Sequence, residues 1–340
     1  MLWLLYICAQ LSAPNPTQRV EDRGDSVGTQ AADCPSGLPL CFTDIASDLP
    51  SRCPRTMRAY VRSPNWVPSA DAIAELEQVN GQIAALCVAA GSPCAWSIDW
   101  YSTTPQTSDF AAWLTLLDAD SRRLEHLNRS RDSADRIVAS FNLARILALV
   151  PRLDSQRQAS RFGSQTMARA EQFLRSCDEA AAASIRAAAR AFSQEHEASL
   201  ARCVETERTR WITRPQDRIR LGADGASLYR AAQSELAGAV TNTNEYPLSR
   251  LKGEDLLVEM RAAEAYFDAV AAAWTSPQPT AQLAELSQRA ERGDFGAWVA
   301  AARPDFLGVH AELTHDAARL KVFLNGSAVA QVVHPTDQSR

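Results

Sequence analysis

Five histidines, eight cysteines and one Ser-x-x-Lys segment are the residues whose types and spacing bear on chemistry in this chain. A di-iron centre in a helical bundle takes a Glu-x-x-His motif from each of two helices, plus two further Glu residues. Glu312-Leu-Thr-His315 supplies one such motif, and no other histidine has a Glu three residues before it. Zinc proteases place two histidines four apart on one helix face. His310 and His315 are five apart, about 140° around a helix, and so point to different faces. Glu195-His196-Glu197 reads as a solvated helix surface rather than a ligand set. Ser249-Arg-Leu-Lys252 has the spacing with which penicillin-binding enzymes activate a serine, but the other lysine, Lys321, precedes Val322, so the Lys-Thr-Gly element is missing. Asp118-Ala-Asp120 opens like a calcium loop without the later glycine and carboxylate. No phosphate-cradling glycine loop, Gly-x-Gly-x-x-Gly or Gly-x-Ser-x-Gly occurs. No metal or organic cofactor is therefore expected.

Cysteine spacing points instead to cross-links. Cys34 and Cys41, and likewise Cys87 and Cys94, are separated by six residues that include Pro and Gly, which let a chain fold back over a short distance. Two structural disulfides are expected, each constraining the unfolded chain by about 2.5 kcal/mol. The pairing of Cys53, Cys177 and Cys203 stays open. Cys87 as a nucleophile is the competing reading, and a disulfide explains it more simply in an oxidising compartment.

That compartment is suggested by the opening residues. Met1 to Ala9 form an apolar run too short to span a bilayer and like the h-region of a secretory signal peptide, with residues 1–13 as the segment removed. The basic n-region is missing, the pattern left when a start is placed too far downstream. Export to the periplasm or medium is the expectation. The 35 basic residues include only Lys252 and Lys321 as lysines; with the alanine runs, this arginine bias suggests a GC-rich bacterial genome.

A net charge of −5 over 340 residues gives no field that would imply nucleic acid. No later segment reaches 18 consecutive apolar residues, so no membrane-spanning helix is expected. Residues 14–68 read as an irregular arm rich in Pro, Gly and Cys. Thereafter helices dominate. Ser69 caps a helix ending at Gly91, with Ile73, Leu76, Val79, Ile83, Leu86 and Ala90 as its apolar stripe. A second helix starts at Ser108, and a third runs from about Asp132 to Val150 before Pro151. From about 165 to 213 no Pro or Gly interrupts the chain before Arg214-Pro215. Unbroken, this long helix would run about 73 Å and overshoot a compact chain about 50 Å across, so either the molecule is elongated or a bend interrupts the stretch. Further helices are expected over Ala226–Val240, Glu254–Trp274, Thr280–Arg292, a short one through Trp298, and Asp305–Leu324. Val329 to Val333 is the single strand candidate.

The expected fold is therefore all-α: a multi-helix bundle of antiparallel hairpins around one unusually long central helix, with a disulfide-stapled N-terminal arm. Residues 69–214 are expected to form one bundle, 215–326 a second helical subdomain and 327–340 a tail. Between the first two helices, Trp96, Trp100 and Tyr101 fall within six residues, as a platform for a partner or as a plug for the bundle end. The functional expectation is an exported helical protein that binds or scaffolds another envelope protein without catalysis. The alternative is an enzyme or metal-binding protein with a dispersed site near His310 and His315.

Overall fold

The computed structural model describes residues 66–93, 108–235 and 253–330, all within the unit spanning residues 35–340. The described residues are helical throughout, without strands. The helices are α1 (Ala70–Gln78), α2 (Asn80–Gly91), α3 (Ser108–His126), α4 (Ser130–Ala148), α5 (Leu153–Phe173), α6 (Glu179–Arg208), a π-turn (Thr209–Thr213), α7 (Arg214–Arg220), α8 (Gly225–Glu235), α9 (Glu254–Trp274), α10 (Pro279–Glu291), α11 (Gly296–Ala302) and α12 (Phe306–Ala330). None of these is long and apolar enough to cross a membrane.

Local chemistry explains most boundaries. Ser69 accepts a hydrogen bond from the Ala72 N–H and starts α1. α3 ends at Asn128, which takes the left-handed conformation (φ 59°) and closes a Schellman turn through Arg129 N–H to Leu124 C=O. Pro151 follows α4. The carbonyls of Ala148 and Val150 accept from the Gln156 side chain at 2.8 and 2.6 Å, and Val150 C=O also takes the Arg152 N–H at 2.8 Å.

Several expected boundaries are corrected. The stretch expected as one helix to Gly91 is two, α1 and α2, broken at Val79. The helix expected over 165–213 is not continuous. α5 ends at Phe173, and Asp178 restarts the chain as the N-cap of α6, accepting from Ala181 N–H at 2.7 Å. Ser176 and Asp178 are the cues: their side chains compete with the helical backbone. Nor does Pro215 end the rod, which continues through the π-turn into α7. The central element is α4, buried along most of its length and packed against α2, α3, α5 and α6. Val329 and Ala330, the first two residues of the strand candidate, lie inside α12, which runs through Asn325-Gly326 to Ala330; residues 331–333 lie outside the described residues.

Cys87 is a free thiol, so the expected Cys87–Cys94 bridge is not formed; its Sγ accepts instead from the Arg136 guanidinium at 3.4 Å. Cys177 and Cys203 are also free. Cys34, Cys41, Cys53 and the arm lie outside the described residues.

Two apolar cores result. One joins α1 to α6, around Trp113, Phe141 and Phe173. The other gathers α9 to α12 around Tyr266, Phe267 and Trp298, with the end of α6. α6 and α12 feed both: Phe192 and Phe323 belong to the first, Cys203 and Phe306 to the second.

Candidate functional site

Three helices that meet between these cores build a cleft. On α5 it is lined by Ser160, Gly163, Ser164 and Met167, positions that recur at helical spacing and so share one face. α6 contributes Phe192, Ser193, His196 and Leu200, with exposed Glu197 at the rim. Asp316, Ala317 and Leu320 of α12 complete it. The small residues of α5 permit the close approach: a Cβ on Gly163 would collide with the Phe192 ring. The cavity volume is about 30 Å³, enough for a water or the terminal atoms of a ligand.

His196 is the group of chemical interest. Only 4% of it is exposed, its ring stacks on Phe192 with centroids 5.4 Å apart, and burial holds its pKa down at about 4. It is thus neutral near pH 7. One ring nitrogen bonds to the Gln156 backbone, while Nε2 has no hydrogen-bond partner. In the neutral ring Nδ1–H donates to the Gln156 carbonyl, and Nε2 is a bare acceptor. Beside it, Ser160 Oγ donates to Asp316 Oδ2 at 2.6 Å. One turn earlier on α12, Glu312 receives both ends of the Arg157 guanidinium at 2.5 and 2.7 Å, which holds the Glu312 carboxyl below its ordinary range. α5 and α12 are thus clamped directly next to the cleft.

His196 was expected on a solvated face, and the structure corrects that expectation. The flanking Glu195 and Glu197 suggested solvent. The outward turn of a helix passes within 100° of its buried one, so charged neighbours do not expose the residue between them. The signal that was available is the apolar spacing Ile185, Ala188, Phe192, which continues to position 196.

The residues singled out from sequence fall elsewhere. His310 packs edge-on to Trp274 at 4.9 Å and burial lowers its pKa, while His315 is exposed. The carboxylate of the Glu-x-x-His motif, Glu312, is engaged by Arg157 and Arg161. Among the described residues no group of three or more His, Cys, Asp or Glu is placed to hold a metal ion. Cys94, Trp96, Trp100 and Tyr101 lie outside the described residues. The exposed large apolar residues Val67, Val88, Leu127, Leu221, Val258 and Val322 stand on separate parts of the chain.

Two other buried polar clusters are internally matched. Asp120, fully buried, accepts from Arg123 at 2.8 Å and from Arg136 at 2.7 Å. Glu207, also buried, accepts the Leu153 N–H at 3.0 Å and the Trp211 indole at 2.7 Å. It caps the N-terminus of α5 from another helix, although burial raises its pKa. Their geometry accounts for them as links between helices.

No protein-family model, curated protein or solved structure matches this chain.

Proposed function

We propose that this chain is a helical binding protein whose recognition element is the cleft between α5, α6 and α12. The observation that carries this reading is that His196, which lines that cleft, has a buried Nε2 without a hydrogen-bond partner. A buried acceptor left unmatched costs about 1–3 kcal/mol, and a bound hydrogen-bond donor offsets that cost. Apolar walls from Met167, Phe192, Leu200 and Leu320 around a few polar groups have the make-up of a ligand site. The fit is to binding rather than to turnover: the Ser160 hydroxyl is committed to Asp316 and no hydrogen bond joins it to His196.

The test is a thermal-shift screen of small amines, amides, alcohols and phenols against the wild-type chain and His196→Leu. Stabilisation of the wild type that the variant loses is the expected result. Equal shifts in both proteins, or none in either, would count against the cleft as a ligand site. Export, and an envelope partner held by Trp96, Trp100 and Tyr101, are further proposals resting on the sequence alone. Cell fractionation tests the first, and a pull-down compared with the Trp96→Ala, Trp100→Ala double variant tests the second.

A further inference from the structure

The chemistry of the cleft narrows what it would hold. Its charged members are Asp316 and Glu197, both acidic, and its lining includes neither Lys nor Arg. Asp316 receives Ser160 on Oδ2, which leaves Oδ1 as an acceptor. Neutral His196 offers a second acceptor at Nε2. An occupant that satisfies both must carry at least two donors, and a positive charge suits the two carboxylates. A carboxylate ligand has acceptors only, and both it and a phosphate would meet like charge. A neutral alcohol has a single O–H, and so can match His196 or Asp316 but not both. A small cavity with apolar walls admits the end group of such a ligand and packs its carbon chain at the mouth.

We infer, resting on the reading of this cleft as a ligand site, that it takes a primary ammonium on a short apolar tail, donating to both His196 Nε2 and the Asp316 carboxylate. The ammonium has three donors and no acceptor. Two reach these groups, and the third faces solvent or a cleft hydroxyl. Bound ammonium leaves the Ser160–Asp316 hydrogen bond in place. No bond is made or broken in the ligand.

Isothermal titration of the full chain with butylammonium, 1-butanol and butyrate at low ionic strength tests this, because the three share one tail and differ in the head group. Butylammonium is expected to bind and butyrate not to bind. Asp316→Asn, which keeps the size of the side chain, is expected to weaken butylammonium at least tenfold while leaving helical content unchanged. His196→Leu is expected to abolish binding. Butanol bound as tightly as butylammonium would overturn the ammonium assignment while leaving the cleft a ligand site. So would unchanged butylammonium affinity in Asp316→Asn. Binding of zinc alone, lost in His196→Leu, would replace the ammonium with a metal. Absence of binding by all three probes and zinc would overturn the assignment, and the failed donor screen would then take the cleft reading with it.

Discussion

At position 196, in the lining of a cleft, a neutral imidazole stacks on Phe192, gives one nitrogen to the Gln156 backbone and leaves the other buried without a partner. Such a ring is costly to protonate, and the cost appears in stability. Its pKa is lowered from 6.5 to about 4 by burial. Between those values the unfolded chain binds a proton that the folded chain does not, so stability is full above pH 6.5 and is lost as pH falls toward 4. The gap corresponds to about 3 kcal/mol. Urea unfolding at pH 7 and pH 4.5 is expected to show a smaller acid loss in His196→Leu than in the wild type, by about 2–3 kcal/mol. Equal losses in the two proteins would contradict a buried neutral ring. Asp316, the acidic group whose charge acts on the ring, is unchanged in that comparison. The residue was hidden in the sequence because its neighbours Glu195 and Glu197 are charged. Gly163 on another helix makes room for the Phe192 ring on which His196 stacks, a contact between helices that the residues around position 196 do not announce.

Among the elements, the joint between α6 and α7 shows why proline rules mislead. Proline lacks an N–H, so Pro215 cannot donate to the carbonyl four residues earlier, which is Trp211. The helix answers with a widened turn in which Arg214 N–H reaches back to Thr209 C=O. The freed Trp211 carbonyl accepts from the Trp298 indole at 3.0 Å, which pins α11 to the rod. Trp298→Phe is expected to leave that carbonyl unmatched and to cost about 1–3 kcal/mol beyond the packing change. Adding Pro215→Ala supplies a backbone donor and is expected to recover part of the loss. A double-mutant cycle in urea with no coupling between the two positions would refute the account. The sequence marked Pro215 as an end because its proline rule considers one chain segment, and the rescuing donor lies far away in it. The same limit explains the missed break at Ser176 to Asp178, where capping side chains outweighed a run without Pro or Gly.

At the scale of the whole molecule, helix content was legible because the apolar stripes of α3, α4 and α9 repeat at helical spacing and are buried as such. What was not legible is how the two cores are joined. α6 and α12 each place aromatic or aliphatic residues in both, and Arg157 to Glu312 and Ser160 to Asp316 tie α12 to α5. Shared elements couple unfolding, so calorimetry is expected to show one transition whose calorimetric and van't Hoff enthalpies agree. Two resolved transitions would mean that the cores unfold separately. The cleft lies where this coupling passes, and it depends on a buried, unprotonated His196. Nitrogen NMR of the ¹⁵N-labelled imidazole during a pH titration tests that most directly. The account predicts a bare Nε2 and a protonated Nδ1 at pH 6.5, with titration near pH 4. An imidazole that titrates near 6.5, as on an exposed helix face, would contradict it.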